Sequence, residues 1–206
     1  MNRYGRGALL GAAAMTFTLT ACSQDVDMRA DPSRQATIHV DGSGKSYTNA
    51  EALGRDSDVV LRGRVTALAG TAVDNGGLGP DASGLPMAFY TVKVIGSNRS
   101  ADVPATIRVA NLDRSKVASD SVAPIEIGQE YVLFLEKRTA ETAPGVASWA
   151  PFYIPTGGGF GVFRIEGGGQ AVAFQRELTK VRPASPAGAR VNDRLAVEPR
   201  ILLATK

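Results

Sequence analysis

Residues 58–68 read DVVLRGRVTAL, and residues 130–136 read EYVLFLE. In the first stretch Val59, Leu61, Gly63, Val65 and Ala67 fall on one side of an extended chain, with Val60, Arg62, Arg64, Thr66 and Leu68 on the other. Side chains in a strand alternate between faces, so this period predicts a strand with one core face and one mixed face. In the second stretch Tyr131, Leu133 and Leu135 alternate with Val132 and Phe134, so both faces are apolar, as for a strand in the middle of a sheet. Strands of this kind imply a β-rich domain.

Further extended runs lie around them: 36–40 (ATIHV), 87–95 (MAFYTVKVI), 105–110 (ATIRVA), 152–154 (FYI), 160–165 (FGVFRI) and 171–175 (AVAFQ). A short helix is expected at Thr48-Asn49-Ala50-Glu51, where the Thr hydroxyl and Glu carboxylate form a capping box; Ala52 and Leu53 begin its apolar side and Gly54 ends it. A further helical turn is expected within 112–118. Residues 70–86 (GTAVDNGGLGPDASGLP) are dense in Gly and Pro and read as a long flexible loop, a kind of segment that is often functional. Residues 138–151 form a second irregular segment, and triple glycines flank the 160–165 strand. Many short strands, Gly and Pro turns and few helices predict a small antiparallel β-barrel or sandwich.

The order of helix, SDVVLRGRVTAL, long loop, FYTVKVIG, TIRVA and IGQEYVLFLEK resembles the OB-like barrel of the netrin-like and tissue metalloproteinase inhibitor superfamily. The resemblance covers roughly residues 47–137, and the FYIPTGGGFGVFRI hairpin extends it. It implies a mostly β, OB-like fold over residues 36–182. Those inhibitors act through an N-terminal cysteine and a disulfide-held edge, and a chain with one cysteine cannot form that disulfide.

The leader carries Arg3 and Arg6, followed by the uncharged stretch GALLGAAAMTFTLTA at 7–21. Positive charge and then a short apolar run describe a signal peptide, and the run falls short of the ~20 apolar residues of a spanning helix. Leu19-Thr20-Ala21-Cys22 resembles the lipobox of bacterial lipoproteins. That resemblance implies signal peptidase II cleavage between Ala21 and Cys22, and a diacylglyceryl group on the Cys22 thiol. Residues 1–21 then form the signal peptide and residues 22–35, polar with Pro32, a flexible tether. The expected location is the outer face of the cell membrane, with two acyl chains giving the stable hold that one would not. Residues 183–206 are expected to be a loosely ordered tail.

Loss of the leader lowers the formal charge of +3 by two, and no clustered basic stripe points to nucleic acid. Gly42-Ser43-Gly44-Lys45-Ser46 ends like a phosphate-binding loop, but the Gly such a loop needs five residues before Gly44 is His39 here. His39 is the only histidine, so any Ser/His/Asp or Cys/His set would depend on it, and no Gly-x-Ser-x-Gly turn accompanies it. With Cys22 assigned to lipid, no ligand set for zinc remains, and no cofactor is implied. Asp56, Asp58, Asp113, Asp120, Glu126 and Glu130 supply carboxylates without the pairing of a glycosidase. Arg62, Arg64 and Lys93 are candidates for a basic stripe.

Aromatic residues gather late, at Trp149, Phe152, Tyr153, Phe160 and Phe163. The first four are the candidate ligand-binding residues, able to stack on a sugar or a peptide; packing of the hairpin onto the barrel is the competing account. Together these features describe a non-enzymatic binding module of the cell envelope with a protein or glycan ligand. An inhibitor or accessory subunit of an exported enzyme, acting through the 70–86 loop, is the alternative. An envelope hydrolase is disfavoured for want of a catalytic constellation.

Overall fold

A computed structural model describes residues 38–39, 45–79, 81–99, 102–182 and 189–205. Cys22, Ala21 and the tether lie outside the described residues, as do Gly42-Ser43-Gly44. The chain is mostly β. Its elements run β1 (Ile38–His39), α1 (Ala50–Arg55), β2 (Val59–Asp74), β3 (Leu85–Ser97), β4 (Thr106–Leu112), β5 (Val117–Ala118) and β6 (Glu130–Arg138). A 3-10 segment (Pro144–Trp149), β7 (Phe152–Pro155), a second 3-10 segment (Gly158–Gly161), β8 (Val162–Ile165) and β9 (Ala171–Ala173) follow. Then come β10 (Ala189–Val191), β11 (Arg194–Val197) and α2 (Pro199–Leu203).

One large sheet holds nine of these strands, in the order β10-β11-β9-β8-β6-β2-β3-β4-β7. β6 also pairs with β7, so the hydrogen-bonded path that leaves β2 through β3, β4 and β7 returns to β2 through β6. All of these steps are antiparallel except β4 to β7, which is parallel where Val109 meets Tyr153. That parallel step departs from a wholly antiparallel arrangement. It follows from strand direction: β7 turns back antiparallel beside β6 and so runs the same way as β2 and β4. β1 and β5 form a separate two-stranded parallel pair.

The apolar period of the opening stretch is realised in two cores. Val59, Leu61 and Val65 join Val92, Ile107, Val109, Tyr131, Leu133 and Leu135 in one cluster, with Tyr153 packed against it. Val60 looks the other way, into a second cluster with Val132, Phe134, Phe163, Leu53, Leu178, Leu195 and Leu202. Burying a Leu or Phe side chain contributes ~1.5–3 kcal/mol, so β6, apolar on both faces, anchors both cores, and β2 joins the second through Val60.

Several expectations change on contact with the structure. The alternation in β2 fails after Val65, because register shifts between Val65 and Ala67 and between Leu68 and Gly70 insert extra residues. Leu68, Ala67 and Ala69 are consequently exposed. The expected loop 70–86 is strand at both ends: β2 runs to Asp74 and β3 begins at Leu85, because Thr71, Ala72 and Val73 keep pairing with Ala88, Met87 and Pro86, which leaves 75–84 as the connection. The turn proper, beginning at Asn75, is tied by Gly76 N–H donating to Asp74 Oδ1 and Gly77 N–H donating to Asn75 Oδ1.

α1 is capped one residue later than expected. Asn49 Oδ1 accepts from Ala52 N at 2.8 Å, while the Thr48 carbonyl accepts from Thr179 N and Lys180 N. Gly54 lies inside α1, not after it; a Cβ there would sit 3.0 Å from Thr205 Oγ1, so the bare glycine lets the C-terminal segment close in. Residues 113–116 make a turn around Asp113, whose Oδ1 accepts from Ser115 N and Oγ, and no helix forms there.

The tail expected from 183 onward is not loose over residues 189–205. β11 adds to β9 at Ala196 and Val172, and Leu195, Ala196, Val197 and Leu202 are buried. The spacing of its apolar residues is too short to show a period, which hid three short elements from a sequence reading.

Candidate functional site

The neighbouring positions Thr91 on β3 and Arg108 on β4 pair across the sheet, and so do Phe89 and Ala110. The segment that follows β6 lies over this face. Trp149 stacks on Phe89 with ring centroids 4.3 Å apart and planes 11° from parallel, and Phe152 meets Phe89 edge-on at 5.2 Å. The Arg108 guanidinium sits 5.3 Å above the Trp149 ring, and its Nη1 donates to the Trp149 carbonyl. Gly70 makes room for the indole, since a Cβ there would lie 2.6 Å from Trp149 Cη2. The β2–β3 turn docks on the same segment, with Gly77 against Pro144 and Gly145 against Asp74.

The structure separates the four aromatic candidates. Phe152 is 2% exposed and belongs to the packing around Phe89. Trp149 is half-buried in the same group. Phe160 packs instead on Tyr47, 5.8 Å away and edge-on, beside the second core. Phe152 also borders a recess of about 370 Å³ with Met87, Leu112 and Ile154, although its ring is buried; Tyr153 faces a different hollow. Its side chain lines a recess of about 450 Å³ with Thr91, Asp102, Thr106, Arg108 and Lys137. A neighbouring recess of about 380 Å³ shares Asp102, Lys137 and Tyr153 and reaches Asp58 and Arg99. Burial, and behind it the Asp58 charge, push the Tyr153 phenol above its ordinary range. At neutral pH it is a neutral donor and acceptor.

Sequence inspection missed Arg108, Lys137, Asp102, Thr91 and Thr106. One signal was present: Arg108 is the lone charge within the apolar run TIRVA. The others come together only through the pairing of β3, β4, β6 and β7, which no local pattern specifies.

The remaining candidates are occupied structurally. Arg62 and Arg64 do not form an open basic stripe: Arg62 Nη2 lies 2.7 Å from Glu130 Oε2, and Arg64 Nη2 lies 2.6 Å from Glu130 Oε1. The Arg64 and Arg62 hydrogen bonds hold the Glu130 carboxyl below the usual carboxylate range. Asp56 accepts from Tyr47 Oη at 2.8 Å and from Lys45 Nζ at 3.1 Å, which lowers its pKa, Tyr47 being the larger cause. Asp58 accepts from the Lys137 amide at 2.7 Å, and Glu126 faces Arg164 at 3.6 Å. Asp120 is exposed, and the backbone of His39 lies in β1. Among the described residues no group of three His, Cys, Asp or Glu side chains is placed to hold a metal, and no helix is long and apolar enough to cross a membrane.

No protein-family model matches the chain, and no curated protein matches it either.

Proposed function

We propose that this chain is a lipid-anchored binding module of the cell envelope, an OB-like barrel held outside the membrane by a diacylglyceryl group on Cys22. The pairing path β2-β3-β4-β7-β6 with its single parallel step supports the OB-like reading. OB barrels use the face of their second and third strands and the loops beside it to bind extended ligands such as oligosaccharides. In this chain those strands are β3 and β4, and the 139–151 segment is one such loop.

The observation that carries the binding reading is the recess at Tyr153. An aromatic ring stands among polar side chains brought from three strands and the β3–β4 turn, whereas Trp149 and Phe160 pack against protein and the Phe152 ring is buried. Ligand sites combine an apolar wall with a few converging polar groups, and this recess has both. The anchor reading rests on the leader pattern that ends at Cys22.

Two measurements test the two halves. Purified cell-wall glycan should bind the full chain and lose binding in Tyr153→Ala; unchanged binding in that variant would move the site elsewhere. Cys22→Ala should abolish acylation and membrane association, and an unmodified, membrane-free wild-type protein would refute the anchor. Trp149→Ala is the poorer probe, because its loss also unpacks Phe89.

A further inference from the structure

We infer that the Tyr153 recess takes a carboxylate-bearing saccharide, with Lys137 and Arg108 receiving the acid and Tyr153 the sugar face. The inference rests on the binding reading above and names its ligand class.

The side chains around the recess divide into a fixed frame and a set left free. Arg108 is held in place by the Trp149 carbonyl and ring, and Asp58 is held by the Lys137 amide. Among the described residues, the Thr91, Thr106 and Tyr153 hydroxyls, the Asp102 carboxylate and the Lys137 ammonium make no side-chain hydrogen bond or ion pair with the protein. These free groups surround one half-buried ring. A pyranose presents an apolar face for stacking, with hydroxyls around its rim that both donate and accept. Donors at Lys137 and acceptors at Asp102, with threonine hydroxyls serving either way, match that rim.

Charge selects among saccharides. The recess of about 450 Å³ is lined by two cations, Arg108 and Lys137, against the one carboxylate of Asp102. The guanidinium is planar and already oriented, so a carboxylate entering beside it meets a donor that needs little reordering. A neutral sugar would leave Lys137 without a counter-charge. Lys137 also borders the adjoining recess, so it sits where a second sugar unit would continue from the first.

The test uses the full chain in detergent and two probes, an oligosaccharide of alternating uronic acid units and the same oligosaccharide with its carboxyls reduced to alcohols. Calorimetry should show the acidic probe binding at least tenfold more tightly than the reduced one. Lys137→Gln should weaken the acidic probe about tenfold and the reduced probe by much less, so that the preference for acid is lost, while Lys137→Arg restores it. Lys137 is exposed and its side chain bonds to nothing described, so these variants keep the fold.

Equal binding of both probes, each lost in Tyr153→Ala, would overturn the acidic assignment and leave the binding site standing. Binding of both that survives Tyr153→Ala would overturn the site as well. A carboxylate-ended peptide that binds where the acidic saccharide does not would overturn the saccharide class.

Discussion

The indole of Trp149 lies flat on the ring of Phe89, and the space it fills exists because residue 70 is glycine. Adding one methyl group at that position brings carbon within 2.6 Å of Trp149 Cη2, and the Gly70 backbone, at φ 154, is one that L side chains rarely adopt. Overpacking and backbone strain of this kind each cost about 1–3 kcal/mol. Gly70→Ala should therefore destabilise the fold by about 2–4 kcal/mol in a denaturant titration. The Trp149 fluorescence should also shift toward that of exposed indole, and an unchanged spectrum would mean that the stack does not depend on Gly70.

Glu130 binds two arginines, one on each oxygen, and its carboxyl pKa is lowered from an ordinary value of 4.5. A carboxylate with a depressed pKa stabilises the fold above its unfolded value and loses that effect as pH falls through the lower folded value. Glu130→Gln should cost about 1–2 kcal/mol at pH 7, after allowance for the solvent exposure of Arg62 and Arg64. The difference between wild type and variant should shrink below pH 4.5 and vanish once the folded carboxyl is protonated. A gap that stays constant from pH 7 to pH 2 would assign the cost to something other than charge.

Tyr131 is 1% exposed, yet its hydroxyl accepts from Glu126 N at 3.0 Å. This bond ties the segment before β6 back to the strand itself. Tyr131→Phe leaves that amide without its partner and should cost about 1 kcal/mol. Hydrogen exchange at Glu126 should accelerate in the variant, and unchanged exchange would show that the hydroxyl is not what protects the amide.

Phe152 and Tyr153 are neighbours in sequence with opposite roles. Phe152→Ala removes a ring from a buried cluster and should cost about 3–5 kcal/mol. Tyr153→Phe removes a hydroxyl that bonds to nothing described, and should change stability by less than about 0.5 kcal/mol. It should nevertheless weaken binding of any ligand that uses the phenol. A Tyr153→Phe variant that unfolds easily would show the hydroxyl to be structural.

The strands were legible where burial is strongest. Val59-Val60-Leu61 and Tyr131 to Leu135 have apolar residues on both faces, and no other environment suits them. The reading failed where backbone geometry, not hydrophobicity, decides the outcome. The bulges after Val65 reverse the facing of Leu68, and they come from register, which a single strand's sequence does not encode. Helix α1 was seen but misplaced by one residue, because Thr48 and Asn49 can each cap and the strand-like bridge of Asn49 to Lys180 settles which does. The late aromatics were seen as a group, but a list of rings carries no record of which has a partner. Phe89, 60 residues upstream of Trp149, supplies one. Arg108 and Lys137 gained meaning only from pairing on the sheet.

The position of β6, with β2 along one side and β8 and then β7 along the other, bears on how the chain acquires its structure. The β2–β3 hairpin is local and can form as soon as its turn closes. The Arg62 to Glu130 contact joins residues 68 apart, and neither core is complete before it. Closing so long a loop is entropically costly, and chains dominated by such contacts fold slowly. Until β6 arrives, the apolar faces of β2 stay open to other chains, so the interval between hairpin formation and β6 docking is when this protein is most exposed to misassembly.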